Sequence, residues 1–298
     1  MKTCFFTLRD SPLKTLATRH LGLLVDDAIV DVSAALSALP ALQYPLPAYD
    51  LMIAYWHAMK PEILQAAKTG TKHNIADIQF LSPIANPGKI IGAPINYNAH
   101  IAESKADAGI AHGRDVTTIG EWGLFLKANS SLIGVSDEIK LRFADRRNDH
   151  EVELAVVIGR RCNQVKAADA MQYIAGYTIG LDMSLRGKEF QCFRKSIDTY
   201  SVLGPWFVTA DEISNPDALD LSISVNGEMR QKSNTSQMVF SVARLIEFAS
   251  SFYTLNPGDV IMTGTPEGVG PVKPGDLLHA SVQGLGEFDI RIASDYSR

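Results

Sequence analysis

The stretch EVELAVVIG, from Glu151 to Gly159, is the clearest β-strand in the sequence. Side chains alternate between the two faces of a strand, so Glu151 and Glu153 share one face, whereas the opposite face is wholly apolar. Beyond the two carboxylates the stretch is apolar on both faces, as is typical of a strand that runs into a core. The sequence therefore predicts an interior strand with two carboxylates at its N-terminal end.

Short strands and turns dominate the chain around this strand. The hydrophobic patterns predict a helix at Ala167–Ile174, a strand at Gly176–Met183, a hairpin within Leu219–Arg230 and an amphipathic helix at Phe240–Phe252. The hairpin turn is Asn226-Gly227, a strong two-residue turn signal. Because strands and helices do not alternate regularly, the elements predict an α+β, β-rich sandwich or barrel-like domain and not a doubly wound sheet.

The first third of the chain is predicted to form a small α+β domain. His20–Val32 is typical of two short strands around a turn, and Ala48–Thr69 has helical spacing that Pro61 is expected to interrupt. The segment LSPIANPGK, residues 81–89, follows, and its prolines and glycine predict a loop between domains. We therefore expect one domain at 1–85 and a catalytic domain at 86–298.

Composition excludes several classes of protein. With 298 residues, 46% of them hydrophobic, the chain can bury a sizeable core, and a net charge of -5 without Lys/Arg runs gives no support to nucleic-acid binding. Three cysteines without C-x-x-C spacing predict reduced thiols. No apolar stretch approaches the roughly 18 residues of a membrane span, so a soluble, cytoplasmic protein is expected. The sequence contains no P-loop and no G-x-G-x-x-G, so no nucleotide cofactor is expected.

The pair Glu151 and Glu153 points to a bound cation. Neighbouring residues on one face of a strand lie roughly 7 Å apart along the backbone, and long side chains can converge from there. An isolated E-x-E pair more often lies on an exposed edge strand. At the mouth of a core strand, however, two anions are costly unless something compensates them. Oxygen ligands favour Mg²⁺, with Mn²⁺ and Ca²⁺ as alternatives.

Six segments of the chain resemble motifs of the fumarylacetoacetate hydrolase family. In chain order they are KIIGAPINYNAHIAES, FLKANSSLIG, DHEVELAVVIG, GYTIGLDMSLR, RKSIDTYSVLGPWFVT and VIMTGTPEGVG, which together span residues 89–270. The resemblance implies a catalytic domain built on a mixed β-roll or barrel, a small N-terminal domain and a homodimer. It also implies that Glu151, Glu153 and Asp182 bind the divalent cation.

A histidine and a glutamate three residues apart form a candidate acid–base pair. On a short helix, His100 and Glu103 lie side by side, and a carboxylate beside an imidazole suits a general base acting on water. The resemblance implies that they form a catalytic dyad on a mobile lid, for which Ser104–Gly120 is the candidate. His112 is the nearest rival as base, and His150 is expected on the strand face opposite Glu151.

The resemblance further implies that Lys195 stabilises an enolate, and it suggests substrate contacts for four residues, Lys127, Arg186, Glu189 and Thr265. In the TGTPEG turn, backbone N–H groups and hydroxyls can hold a carboxylate. Several positions depart from the family pattern: Leu181 replaces Asn and Glu189 replaces Gln. These departures line the substrate end of the site, so substrate identity does not transfer with the resemblance.

The reaction expected from these residues is hydrolysis of a C–C bond in a 2,4-dioxo acid through an enolate held by the cation. Acylpyruvates and fumarylpyruvate are the expected substrates, with a dioxo sugar acid as a further option. The alternatives on the same site are an oxaloacetate-type decarboxylase and a 2-hydroxy-dienoate isomerase or decarboxylase. A metal-stabilised binding domain without activity is disfavoured, because both dyad residues are present.

Overall fold

A computed structural model describes residues 1–9, 19–113 and 115–294 of the chain. The strands within these ranges are β1 Lys2–Leu8, β2 His20–Val25, β3 Ala28–Asp31, β4 Lys72–Asn74, β5 Ile78–Phe80, β6 Ile90–Gly92, β7 Phe125–Lys127, β8 Leu132–Ile133, β9 Glu138–Ile139, β10 Asn148–His150, β11 Val152–Ile158, β12 Ile174–Asp182, β13 Ser184–Leu185, β14 Ser201–Thr209, β15 Asp220–Val225, β16 Glu228–Asn234, β17 Val260–Met262, β18 Gly270–Pro271, β19 Leu277–Val282 and β20 Gly286–Ile292.

The α-helices in the same ranges are α1 Leu51–Ala54, α2 Trp56–Ala66, α3 Asn98–Ala106, α4 Ala108–Ala111, α5 Ile119–Trp122, α6 Ala167–Ala170, α7 Gln191–Arg194 and α8 Val242–Phe252. Short 3-10 helices lie at Ser33–Ala38, Ile75–Asp77, Asn129–Ser131, Met171–Tyr173, Ala210–Glu212 and Thr235–Gln237. Among the described residues, no helix is long and apolar enough to cross a membrane.

Most strands belong to one large mixed sheet. Its order is β4-β3-β2-β1-β14-β12-β11-β17-β6-β7, with β5 paired to β1 and β8 paired to β14. A five-stranded sheet, β16-β15-β19-β20-β9, and a three-stranded sheet, β13-β10-β18, complete the architecture. The α+β, β-rich fold class is confirmed. Within the described ranges the large sheet stays open between β4 and β7, so the barrel-like element is not a closed barrel.

Strand β11 lies inside this sheet, between β12 and β17, and all seven of its residues are buried. It pairs antiparallel with β12 on one side and with β17 on the other. Two hydrophobic clusters lie on its two faces, one containing Leu154 and Val156 and the other containing Ala155 and Val157. The predicted interior strand is therefore confirmed, with its first paired residue at Val152.

Most of the other predicted elements are confirmed. The two N-terminal strands are β2 and β3, the second apolar strand is β12, and the amphipathic helix is α8. The hairpin of β15 and β16 turns at Asn226 and Gly227, whose φ angles of 51° and 82° are the left-handed pair that a type I′ turn requires. Of the segment Ala167–Ile174, only Ala167–Ala170 is α-helical, and Met171–Tyr173 forms a 3-10 helix.

The expected interruption at Pro61 is wrong. Pro61 lies inside α2, and the helical segment breaks earlier, at Tyr55, where φ is -102° and ψ is 18°. Pro61 is the sixth residue of α2, so its missing N–H costs the helix one backbone hydrogen bond without ending it. Pro61 is exposed, so its ring does not displace core side chains.

The N-terminal region and the rest of the chain share sheet and core. Lys2 and Thr3 of β1 pair with Val208 and Phe207 of β14. One hydrophobic cluster contains side chains from both parts of the chain; among them are Leu21, Met59, Ile63, Phe207 and Val260. The division into 1–85 and 86–298 stays a prediction.

Replacing Leu154 by alanine should lower the free energy of unfolding by about 2–5 kcal/mol, because Leu154 is fully buried in β11 and its loss leaves a cavity. The matched control is Leu64→Ala on α2, where the side chain is 48% exposed, and the expected change is within about 0.5 kcal/mol. Urea unfolding of both variants measures the difference. Equal midpoints for the two variants would contradict the assigned core.

Candidate functional site

Three buried carboxylates converge where β11 and β12 meet. Glu151 directly precedes β11, Glu153 is the second residue of β11, and Asp182 is the last residue of β12. The register pairs Val152 with Leu181, and the Asp182 N–H donates to the Glu151 carbonyl at 2.9 Å. Oxygens of the three carboxylates lie within 4.8 Å of one another, and the residues are only 4%, 1% and 1% exposed. Glu151, Glu153 and Asp182 thus form a compact group of oxygen ligands, the carboxylate cluster.

Two lysines and an arginine neutralise much of this charge. Lys195 Nζ donates to Glu151 Oε2 at 2.6 Å and to Asp182 Oδ2 at 2.5 Å, and Arg186 Nη2 donates to Glu151 Oε1 at 2.8 Å. Burial on its own raises the pKa of Glu151, but Lys195 and Arg186 outweigh burial and hold that pKa well below its usual range. Lys127 Nζ donates a hydrogen bond to the other oxygen of Asp182, Oδ1.

The negative charge of Glu153 is the least compensated of the three, because the hydrogen bonds of Lys195, Arg186 and Lys127 go to Glu151 and Asp182. Burial, followed by the neighbouring charge of Asp182, raises the pKa of Glu153 well above its usual value, although the Gly264 N–H donates to its Oε2 at 2.7 Å. Three buried carboxylates of which one lacks full compensation form a donor set suited to a hard divalent cation. The residues therefore fit the cation that the sequence predicts.

His100 and Glu103 lie together on α3, as their spacing predicts. His100 Nδ1 is 2.7 Å from Glu103 Oε2, and the Gly268 N–H donates to Glu103 Oε1 at 3.0 Å. An ionised carboxylate only accepts, so Nδ1 carries the hydrogen in this contact, and Nε2 is the acceptor in the neutral form of such an imidazole. His100 is 4% exposed and lines the same cavity as Glu151. His100 therefore faces the same space as Glu151 and Glu153, two of the three carboxylates.

The cavity between them is small and partly open, with a volume of about 40 Å³. Its wall contains residues of the carboxylate cluster, of α7 and of the segment from α3 to α5: Ala93, Pro94, Ile95, His100, Ser104, Ile110, Ala111, Val116, Trp122, Glu151, Glu153, Arg186, Gln191, Arg194, Lys195 and Thr265. Two of the three carboxylates, His100 and the apolar side chains of the segment from α3 to α5 therefore face one another across this cavity.

The TGTPEG turn bonds carboxylates of the protein itself. The N–H of Gly264 donates to the Glu153 carboxylate, and the N–H of Gly268, the last residue of the turn, donates to the Glu103 carboxylate. The Thr265 hydroxyl donates to the Val152 carbonyl at 2.8 Å and accepts from Gln231 Nε2 at 2.7 Å. Gln231 was not predicted; it is a buried residue on the mostly exposed strand β16, whose burial does not alternate, so nothing in the local sequence singles it out.

The remaining predicted residues divide into two groups. Arg186, Lys195 and Thr265 line the cavity, whereas Lys127 lies beneath Asp182 and does not line it. Glu189 lies outside, where two hydrogen bonds of 2.9 Å from Arg146 lower its pKa to about 2.

His112 and His150, the two other histidines considered as candidates, do not line the cavity. His112 adopts a left-handed conformation at the end of α4. His150 is buried, and its Nδ1 lies 3.2 Å from Gln231 Oε1. Burial lowers the pKa of His150. His100 is thus the histidine that the structure brings to the carboxylate cluster.

A chain of ion pairs leads from the carboxylate cluster to α4. Glu151 is bonded by Arg186, whose Nε donates to Asp149 Oδ2 at 2.7 Å. Asp149 also accepts from Arg147 Nε at 2.8 Å, and Arg147 Nη1 donates to Asp107 Oδ2 at 2.8 Å. Asp107 is the N-cap of α4, which supplies Ile110 and Ala111 to the cavity wall. Asp149 and Arg147 were not predicted, because ion pairs between distant segments leave no local pattern.

Buried carboxylates beside a histidine–glutamate pair define a class of enzyme that works with a hard divalent cation. Comparison with known proteins narrows the class. The model of the fumarylacetoacetate (FAA) hydrolase C-terminal domain matches residues 89–293. The chain is 52% identical over 277 residues to a maleylpyruvate hydrolase of Aquipseudomonas alcaligenes, covering 92% of this chain and 96% of that protein. This protein belongs to the fumarylacetoacetate hydrolase family.

More distant relatives share the full length of the chain. A mitochondrial oxaloacetate tautomerase of Xenopus laevis is 36% identical over 307 residues, covering 96% of this chain and 88% of that protein. The crystal structure of maleylpyruvate hydrolase from Sphingobium sp. SYK-6 in complex with manganese(II) ion and pyruvate is 34% identical, with a TM-score of 0.80 over 98% of this chain and 99% of that one. The solved relative shares the fold of this chain, and the two relatives differ in the reaction they are named for.

Asp107→Asn should loosen α4 while keeping its N-cap, because asparagine caps a helix as well as aspartate but cannot pair with Arg147. A partly exposed ion pair contributes roughly 0.2–1 kcal/mol, so amide exchange of Ile110, Ala111 and His112 should quicken about two- to fivefold. Hydrogen–deuterium exchange measures it, with the exposed Asp145→Asn on the neighbouring loop as the control. Identical exchange in both variants would show that the pair does not hold α4.

Proposed function

We propose that this protein is a divalent-cation-dependent hydrolase that cleaves the C–C bond of an acylpyruvate, a 2,4-dioxo acid. The observation that carries the proposal is the cavity lined by His100, Lys195, Glu151 and Glu153, with the Asp182 carboxylate within 4.8 Å of the two glutamates. The similarity to a maleylpyruvate hydrolase at 52% identity supports the choice of substrate class. The reaction requires an activated water and an enolate leaving group. His100 is suited to activate the water, and a cation together with Lys195 is suited to stabilise the enolate.

Glu151, Glu153 and Asp182 are the residues that would hold the cation. Mg²⁺ and Mn²⁺ both prefer such oxygen ligands, and the relative that contains manganese(II) and pyruvate makes Mn²⁺ a natural first choice for experiments. When bound, the cation supplies a Lewis acid that polarises the 2-oxo group and stabilises negative charge on its oxygen.

His100 is proposed as the base that activates water. Its Nε2 takes a proton from the water, while Glu103 at Nδ1 fixes the tautomer and stabilises the imidazolium that forms. The water oxygen adds to the C4 carbonyl, and the C3–C4 bond then breaks with its electron pair moving into the enolate of pyruvate. The proton on His100 Nε2 goes to C3. The products are the carboxylic acid from C4 and pyruvate, so the atoms of one water are fully accounted for.

Lys195 is proposed to stabilise the negative charge of the enolate, and its neighbours are proposed to hold the carboxylates in place. Lys195 lines the cavity and already bonds Glu151 and Asp182, so it places a fixed positive charge where the enolate develops. Lys127 is proposed to position Asp182, because it is buried beneath that carboxylate. Arg186 positions Glu151, and Thr265 contributes its hydroxyl to the wall near the substrate. A role for Glu189 and a homodimeric assembly stay predictions.

Loss of one carboxylate should remove both cation binding and activity. Glu151→Gln and Asp182→Asn keep the shape of each side chain but remove an anionic ligand, so Mn²⁺ affinity should fall at least about tenfold. Titration calorimetry with Mn²⁺ measures the affinity, and circular dichroism checks the fold. Glu287→Gln, a change at an exposed glutamate of β20, is the matched control. Unaltered affinity in both variants would remove the carboxylate cluster as the cation site.

His100→Ala should lower turnover of an acylpyruvate by about 10²-fold or more, the usual scale of general base catalysis, while Mn²⁺ affinity persists. The assay runs in ¹⁸O-labelled water, and hydrolysis must place label in the acid product from C4 within one turnover. His112→Ala, the same change at a histidine outside the cavity, is the control. If His112→Ala loses activity and His100→Ala does not, the base is assigned to the wrong residue.

The same assay separates hydrolysis from decarboxylation and isomerisation, which need no attack by water. Oxaloacetate should therefore be a poor substrate, and Glu103→Gln should impair turnover of acylpyruvates. If oxaloacetate gives the highest kcat/KM of a panel that includes acylpyruvates and a dioxo sugar acid, with little loss in Glu103→Gln, the protein is a decarboxylase and the hydrolase proposal fails.

A further inference from the structure

Ser104 is a buried serine of α3 whose hydroxyl group has no role in the proposed reaction. It follows Glu103, is 1% exposed and lines the cavity. Within the part of the chain that the structure describes, Ser104 Oγ has no hydrogen-bond partner. A serine inside a helix ordinarily bonds the carbonyl one turn earlier or points into water. Ser104 does neither, so its hydroxyl costs free energy unless a molecule in the cavity provides the partner.

Other polar groups of the cavity wall already have partners. The Thr265 hydroxyl donates to a backbone carbonyl and accepts from the glutamine amide of β16. Lys195 and Arg186 donate to the carboxylate cluster. Gln191 of α7 is only half-buried, so water can satisfy its amide before a substrate enters. The hydroxyl hydrogen of Ser104 is therefore a donor held in reserve for the contents of the cavity.

The position of Ser104 on α3 places it beside the proposed base. Ser104 follows His100 by four residues, so the two side chains share one face of the helix, with Cβ atoms roughly 5–6 Å apart. Helical side chains lean toward the N-terminus, so the Ser104 hydroxyl leans toward the turn that contains His100. Glu103 holds His100 Nδ1 at 2.7 Å, which leaves Nε2 to meet the water. The carbon that this water attacks must then lie close to Ser104 as well.

The oxygen on that carbon is the substrate atom that most needs a donor. The 1-carboxylate and the 2-oxo group belong at the carboxylate cluster, and C4 lies two carbons beyond the 2-oxo carbon. When the water oxygen adds to C4, the π electron pair of the carbonyl moves onto the C4 oxygen and makes it an anion. When the C3–C4 bond breaks, that pair returns and the carbonyl forms again. A fixed donor contributes most at the anionic stage, and Ser104 keeps its own proton throughout.

We propose that Ser104 is a catalytic residue that donates a hydrogen bond to the C4 oxygen of the substrate and stabilises the negative charge that develops there. The inference rests on the proposed function and adds an oxyanion donor to it. Ile110, Val116 and Trp122 line the same cavity. An apolar lining strengthens a single neutral hydrogen bond, because little water competes for the donor.

The first test measures binding and not turnover. The probes are 4-hydroxy-2-oxopentanoate and 2-oxopentanoate, which have equal chain length and differ only in an oxygen on C4, and neither has a 4-oxo group to hydrolyse. With the Mn²⁺-loaded protein, calorimetry should show the hydroxylated probe binding about 3- to 10-fold more tightly, the range of one neutral hydrogen bond. Ser104→Ala should abolish this preference and leave 2-oxopentanoate binding within about twofold of the parent protein.

Ser251→Ala on the exposed face of α8 is the matched control for binding, and it should bind both probes as the parent protein does. A parent protein that binds both probes equally would overturn the proposal. A Ser104→Ala variant that weakens both probes to the same extent would overturn it as well, because the C4 oxygen would then not be the atom that Ser104 contacts.

The second test separates this role from a structural one. Ser250 of α8 is also a buried helical serine, but its Oγ accepts from the Val165 N–H at 3.0 Å and donates to the Glu247 carbonyl at 3.2 Å. Ser250→Ala leaves both groups without this partner, so the urea midpoint should fall by about 0.3–1 M. Ser104→Ala leaves no group unpaired, so its midpoint should stay the same or rise. An equal fall in both variants would give Ser104 a structural partner and overturn the proposal.

The third test uses turnover of acetylpyruvate. Ser104→Ala should lower kcat about 10²-fold, the usual cost of losing one oxyanion donor, and change KM by less than about threefold. Unchanged turnover would contradict the proposal, as would a fall in kcat in a variant that keeps the probe preference, because the hydroxyl would then act on the water. If the parent protein hydrolyses no acylpyruvate but shows the probe preference and loses it in Ser104→Ala, the hydrolase proposal fails and the contact between Ser104 and a C4 oxygen stands.

Discussion

Burial of three carboxylates within 4.8 Å of one another is the constraint that organises the catalytic half of the molecule. Anions removed from water must be met by positive charge or by hydrogen-bond donors. The chain supplies these from separate elements: Lys127 ends β7, Lys195 follows α7, and Arg186 follows β13. Each of these elements is thereby drawn to the junction of β11 and β12, so the electrostatics of one site fix the arrangement of several distant segments.

One loop sets the relative position of the two halves of the site. The N–H of Gly264 bonds Glu153 of the carboxylate cluster, and the N–H of Gly268, four residues later, bonds Glu103 of the dyad. Gly264 has a φ of 95° and lies against Asn96, where a side chain would clash. The distance between the base and the cation site is therefore set by backbone geometry, which is stiffer than a contact between two long side chains.

Local pattern accounts for part of this structure and tertiary contact for the rest. Strand alternation was sufficient to place Glu151 and Glu153 together, and helical spacing was sufficient to place His100 beside Glu103. Asp182 needed the resemblance to the family, because its position depends on the register that pairs Val152 with Leu181. Gln231, Asp149 and Arg194 escaped prediction, because only the folded chain shows that these polar residues are buried beside the site. Pro61 was misjudged, since α2 continues through this proline although it loses one backbone hydrogen bond there.

The pairing of β1 with β14 bears on how the family can vary its N-terminal region. All nine residues of β14 are buried, and without β1 part of its edge would present unpaired N–H and C=O groups in an apolar setting. Such an edge is a template for intermolecular pairing and aggregation. The N-terminal region thus acts as a cover for the edge of the catalytic sheet. A shortened or exchanged N-terminus would remain compatible with a monodisperse protein only if another strand, or another subunit, took over that edge.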